Sequence, residues 1–327
     1  MRSSSPHRPY RGRRPRTACT AALVLLLASV ALAQGCERRE DDPAYDREVR
    51  ALRLRIEGVP ANAALAAEVG RRLARVHQDP MRVIGEISQK MDALGLVPLR
   101  VPGLFYRSHA WTGADLAGVS ALLQREVPLV ETGEVDTVER SAACVRRAVE
   151  EATRAGGRVV LFSASKGGAD VEAAFAGDPA LASRVAAWID LVGLLEGTPL
   201  TEPGVAEAER RTLGLPEATA QSISRGALFP QRASLPPEVI AVHVAGFPTV
   251  ATVSQAARPG FERLRAFGPN DGFLLLDGFL RAPGRVLVLP AADHYLRTPE
   301  LGPTMVALLS IVLDEIAGNS GRGATRP

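Results

Sequence analysis

This chain predicts an α/β fold: a mostly parallel central sheet with helices on both faces. Three observations carry that expectation. From residue 95 onward, short apolar runs alternate with amphipathic helical stripes, the pattern of strand–helix–strand units. The run "RVVLFS" (158–163) has a continuous apolar centre, as a strand covered on both faces must have. It halts at "ASKGG" (164–168), where small residues let a chain leave a strand and enter a helix within one tight turn.

The chain opens with a different kind of segment. Of its 39 basic residues, six arginines lie before residue 36 and no acid does. Without them, 33 basic residues face 36 acidic ones, a net of −3. That balance gives the remaining body no electrostatic case for nucleic acid. The arginines lead into the 19 uncharged residues 17–35. A basic start, an apolar stretch and a small-residue end form a secretory signal, expected over 1–35. The segment ends "LAQGC", which resembles the lipobox of bacterial lipoproteins. The resemblance implies lipidation of Cys36, a membrane anchor and a cell-envelope location. An ordinary secretory peptide and an uncleaved anchor helix stay open as alternatives. Cys19 falls inside the leader, so Cys144 is left without an intramolecular partner, and its place within a helical stripe suits core packing.

A charged tether is expected over 36–47 and a helical extension over 48–94. In that extension Leu65, Val69, Leu73 and Val76 form one stripe. Asp79-Pro80 makes a cap and first-turn pair ahead of Met81, Ile84, Ile87 and Met91. The main domain is expected over 95–317. "VPLVE" (127–131) reads as a strand, and Asp136 with Glu139 as a capping box for the next helix. "RVVLFS", "VAAWIDLVGLL", "PEVIAVHVAG" and "RVLVLP" read as further strands. Between them, 198–237 is polar and helix-prone, with the length and place of a lid. The tail 318–327 has a disordered composition.

Ser165 occupies the corner of "SASKG" (163–167). Ligands of parallel α/β sheets sit beyond the carboxyl ends of the strands, where this corner lies. A serine needs a base to remove its proton. Five histidines are present. His7 lies in the leader, His77 in the extension, and His109 precedes the corner. His243 lies within an apolar strand and reads as a satisfied core imidazole. His294 follows the strand "RVLVLP" and is the candidate base. Asp271, in the turn "PNDG", is the favoured acid; Glu196, after "VAAWIDLVGLL", competes with it.

Together these features resemble the α/β-hydrolase superfamily over about 95–317. "SASKG" is similar to its nucleophile elbow, with Ser163 where glycine is usual, and the order Ser165, Asp271, His294 follows its triad. The resemblance implies an esterase- or lipase-like serine hydrolase acting on a carboxylic ester, thioester or amide, without metal or organic cofactor. It implies an oxyanion hole made by the backbone N–H of Lys166 and by that of Leu104 or Phe105. The Lys166 side chain reads as a solvated surface group. Phe105, Tyr106, Trp111 and Phe229 are candidates for an acyl pocket. A transacylase, or a non-catalytic lipoprotein using the fold as a binding module, remains open.

Overall fold

The computed structural model describes residues 42–323, apart from 206, 213, 229–234 and 236–237. The expected leader, Cys36 and Phe229 lie outside the described residues.

Three helices come first: α1 (Pro43–Glu57), α2 (Pro60–Gln78) and α3 (Pro80–Ala93). Each opens on a proline, whose missing N–H costs nothing in the first turn. Asp42 and Asp79 cap α1 and α3 by accepting backbone N–H bonds. The tether expected to reach residue 47 therefore runs into α1 at residue 43. Then follow β1 (Leu96–Val101), α4 (Ala117–Leu123), α5 (Val138–Ala152), β2 (Arg158–Ala164), α6 (Lys166–Gly177) and β3 (Val185–Leu191). The insertion carries α7 (Glu207–Thr212), α8 (Glu217–Ser222) and α9 (Arg225–Leu228). β4 (Ile240–Phe247), α10 (Arg258–Leu264), β5 (Arg285–Pro290) and α11 (Leu301–Gly323) complete the chain.

The five strands are all parallel and lie in sequence order across the sheet. With right-handed crossovers, that order sends successive connections to one face. One core cluster accordingly joins α5, α6, α10 and described parts of the insertion to Leu161, Trp188 and Ala241. The opposite face, with Phe162, Ile189 and Val242, is covered by α2, α3, α4 and α11. Helices α2 and α3 of the extension and the last helix thus close a face that most of the crossovers leave bare, while α1 packs on the other. α11 is long and apolar enough to span a membrane by composition, but Val306, Leu308, Leu309 and Val312 are buried against the sheet.

Three local expectations differ from the fold. "VPLVE" contributes only an isolated bridge, Leu129 to Arg100. Thr137 caps α5 by accepting from the Arg140 N–H, while Asp136 turns back to the Gly133 N–H. Helix α11 runs to Gly323, into the tail expected to be disordered. The described part of the insertion is tied to the start of α5: Ser222 Oγ accepts from the Val138 N–H, and Thr219 Oγ1 donates to the Val135 carbonyl.

Candidate active site

The turn between β2 and α6 has a single residue at its corner, Ser165, with φ 51° and ψ −122°. Such a conformation is unfavourable for a residue with a side chain and persists only where its surroundings over-determine it. Here the last residue of β3 and the loop after it hold it from two sides. The Ser165 N–H donates to Leu191 O at 3.0 Å, and Ser165 O accepts from the Leu194 N–H at 2.8 Å. Gly167 allows the close approach, since a Cβ there would lie 2.4 Å from Val101 O. This is the physical reason for the small residues around the corner.

Two further loops reach Ser165. His294, after β5, places Nε2 2.9 Å from Ser165 Oγ. Its Nδ1 lies 2.8 Å from Asp271 Oδ2. Since a carboxylate only accepts, Nδ1 carries the proton, and Nε2 is left to accept from the serine hydroxyl. Asp271 is buried, and its Oδ1 accepts from the Phe273 and Leu274 N–H groups, each at 2.9 Å. The His294 N–H donates to Asp271 O at 2.9 Å, tying the two loops together. Phe273 stacks on the imidazole at 4.9 Å.

The competing carboxylates are occupied elsewhere. Glu196 accepts from Arg281 Nε at 2.7 Å and pairs with Arg225. Asp293, next to the histidine, accepts from the Ser254 and Tyr295 N–H groups.

Among the expected oxyanion donors, the Phe105 N–H is ruled out by its engagement with Glu134 O at 3.1 Å. The remaining two are the Leu104 N–H and the Lys166 N–H, the latter at the N-terminus of α6. The Lys166 side chain also departs from expectation. It is only 2% exposed, and its ammonium donates to Ser141 Oγ and to both oxygens of Asp170, at 2.7–2.9 Å. Lys166 points inward because α5 offers Ser141 and α6 offers Asp170 four residues on. Burial pushes the Asp170 carboxyl up, against the pull of the lysine.

Of the aromatic candidates, Tyr106 is buried and donates to Thr132 O, so it serves packing. Phe105 is partly buried against His109. Trp111 is 55% exposed, 5.5 Å from Tyr295, with the Arg297 guanidinium 5.1 Å over its ring. It forms a rim beside the loop of His294.

A second polar chain lies beneath the corner, buried on the face that carries α6. Ser163, Asp190 and His243 are register partners on β2, β3 and β4. Trp188 Nε1 donates to Ser163 Oγ at 2.8 Å, and Ser163 Oγ donates to Asp190 Oδ1 at 2.6 Å. Asp190 Oδ2 lies 3.0 Å from His243 Nδ1, and His243 Nε2 lies 2.7 Å from Pro283 O. A Cβ on Gly193 would fall 1.8 Å from Asp190 Oδ2, so the loop that brackets Ser165 is shaped around this carboxylate. The network escaped the sequence reading, although its signal was present: each of three adjacent apolar strands carries one polar residue in its interior.

No protein-family model matches the chain, and no curated protein matches it. Solved structures do. The metagenomic carboxyl esterase MGS0156 matches at TM-score 0.53 and 23% identity, over 69% of this chain and 76% of its own. The mature lipase BlEst2 of Bacillus licheniformis matches at TM-score 0.55 and 20% identity, over 67% and 92%. Phospholipase PlaB of Legionella pneumophila matches at TM-score 0.50 and 12% identity, over 68% and 63%. The chain has the α/β-hydrolase fold.

Proposed function

We propose that this protein is a serine hydrolase that cleaves carboxylic esters through an acyl-enzyme on Ser165. The observation that carries the reading is the continuous chain from Ser165 Oγ through His294 to buried Asp271, on a strained turn at the carboxyl edge of the sheet. The esterase and lipases of like fold add support, and favour a lipid-like ester over a thioester or amide.

The reaction follows from the hydrogen bonds. Ser165 Oγ attacks the ester carbonyl while His294 Nε2 takes its proton. The oxyanion so formed lies between the N–H groups of Lys166 and Leu104. Collapse expels the alcohol, which takes the proton from Nε2 and leaves the acyl group on Ser165. Water then repeats the sequence: His294 removes its proton, the acyl–oxygen bond breaks, and Ser165 recovers its hydrogen. Asp271 holds the imidazole in the required tautomer and stabilises its charged form. The insertion over 198–237 is assigned as a lid.

A fluorophosphonate probe tests the reading. The wild-type protein is expected to be labelled at Ser165, with labelling lost in Ser165→Ala and His294→Ala. Absence of label on well-folded wild type would instead favour the non-catalytic binding module. An acyl acceptor other than water, seen by product analysis, would make the protein a transacylase.

We assign the chain to the cell envelope as a lipoprotein anchored at Cys36, from the arginine-rich start and "LAQGC". Cys36→Ser is expected to shift the protein from the membrane to the soluble fraction. Continued membrane association would point to an uncleaved helix.

A further inference from the structure

The first turn of α1 is fastened to the loop that bears Asp271. We propose that Tyr45 is a positioning residue for this carboxylate, so that the N-terminal helix is part of the active site's framework; the proposal rests on the hydrolase reading.

Asn270, immediately before Asp271, is fully buried. Its backbone N–H and its side-chain Nδ2 both donate to the Tyr45 hydroxyl, each at 3.0 Å. Its Nδ2 also reaches Phe261 O and Gly268 O, at 3.3 and 3.2 Å, and its Oδ1 accepts from the Gly272 N–H at 2.9 Å. Asn270 therefore staples the turn internally, and Tyr45 fixes that staple from another element. The tyrosine is itself held. It is buried, its ring meets Phe261 edge-on at 5.3 Å, and the Arg265 guanidinium lies 5.5 Å from its centre. Burial pushes its phenol further up, so the oxygen stays neutral.

Its neighbours strengthen the attachment. Asp42 pairs with Arg265, and Asp46 Oδ1 accepts from the Val250 N–H at 3.1 Å. Three attachments thus join residues 42–46 to residues 250–270. A helix that served only to cover the core would need its apolar stripe, Val49, Leu52 and Ile56, and no polar contact to this turn.

The consequence is geometric. Asp271 Oδ2 orients His294 only if the turn holds it at 2.8 Å. Removing the phenol oxygen leaves the buried Asn270 backbone N–H without its acceptor and Nδ2 with only its two longer contacts, to Phe261 O and Gly268 O, and the turn relaxes around them. Tyr45 does not touch the reacting atoms; it acts through Asn270 on Asp271. A displaced carboxylate weakens stabilisation of the transition state more than binding of the ester.

The test compares wild type, Tyr45→Phe and Val49→Ala as full-length protein, with p-nitrophenyl butyrate and a fluorophosphonate as probes, well below each melting temperature. Tyr45→Phe is expected to lower kcat and the rate of Ser165 phosphonylation about 5- to 50-fold, with KM within twofold. Val49→Ala is expected to lower the melting temperature and leave both rates unchanged. Wild-type rates in folded Tyr45→Phe overturn the proposal and reduce Tyr45 to packing. Should Tyr45→Phe not fold, Arg265→Gln decides, because it loosens the same clamp from a surface ion pair. A two- to fivefold loss of kcat there supports the proposal, and wild-type kcat there overturns it. Wild type that is never labelled at Ser165 overturns the hydrolase reading itself, a different failure from labelled wild type with an indifferent Tyr45→Phe.

Discussion

Asp271→Asn is expected to lower kcat by about two to four orders of magnitude, with KM changed only a few-fold; the upper figure is the loss of ~10⁴ known for the same exchange in a serine protease. The exchange is nearly isosteric, and Oδ1 can still accept from the Phe273 and Leu274 N–H groups. What changes is the atom facing His294 Nδ1. An amide nitrogen there donates instead of accepting, so Nδ1 must offer its lone pair and the ring proton moves to Nε2. That nitrogen can then no longer take the proton from Ser165 Oγ, 2.9 Å away. Glu196→Gln is the control. Its carboxylate is held by Arg281 and Arg225, so the exchange weakens an ion pair and leaves the imidazole alone. Steady-state kinetics on both variants check this: a crippling Glu196→Gln beside a mild Asp271→Asn would move the acid's role to Glu196.

Asp190→Ala is expected to be the most destabilising single substitution in the sheet, at about 3–5 kcal/mol. The hydrogen inventory explains why. Pro283 O can only accept, so His243 Nε2 must donate to it. Ser163 Oγ already accepts from Trp188 Nε1, so its own hydrogen goes to Asp190. Without the carboxylate, the serine hydroxyl and the inner face of the imidazole are stranded in a site closed to water. At roughly 2–4 °C per kcal/mol for domains somewhat smaller than this one, the melting temperature falls by roughly 6–20 °C. A thermal melt and a urea titration measure the loss. An unchanged midpoint would mean the three residues do not form a coupled network.

What could be read from the chain, and what could not, divides along a physical line. The turn at Ser165, the histidine after "RVLVLP" and the aspartate of "PNDG" were legible because each is a local pattern: a strand end followed by residues a tight turn requires. The β2, β3, β4 and β5 runs were legible because burial needs strands that are almost wholly apolar, and only Ser163, Asp190 and His243 break the interiors of β2, β3 and β4. "VPLVE" has the same composition but pairs with β1 at one bridge only, and pairing is a property of two segments. Lys166 looked like a surface cation because its neighbours in sequence are small. Its burial depends on Ser141, 25 residues earlier. The link from Tyr45 to Asn270 spans 225 residues, and no periodicity within α1 encodes it.

The order of the strands has a consequence for how the molecule is made. Because the sheet grows from β1 to β5 as synthesis proceeds, each new strand docks beside its predecessor and finds its partner at once. The face carrying Phe162, Ile189 and Val242 gains only the short helix α4 on the way. Helices α2 and α3 are made first, yet they share that face with α11, made last. A nascent chain halted before residue 301 would hold a nearly finished sheet with one greasy side half open. Completion is therefore a late, long-range event, slow in the manner of folds dominated by distant contacts. During that interval the chain is most in need of protection from other chains.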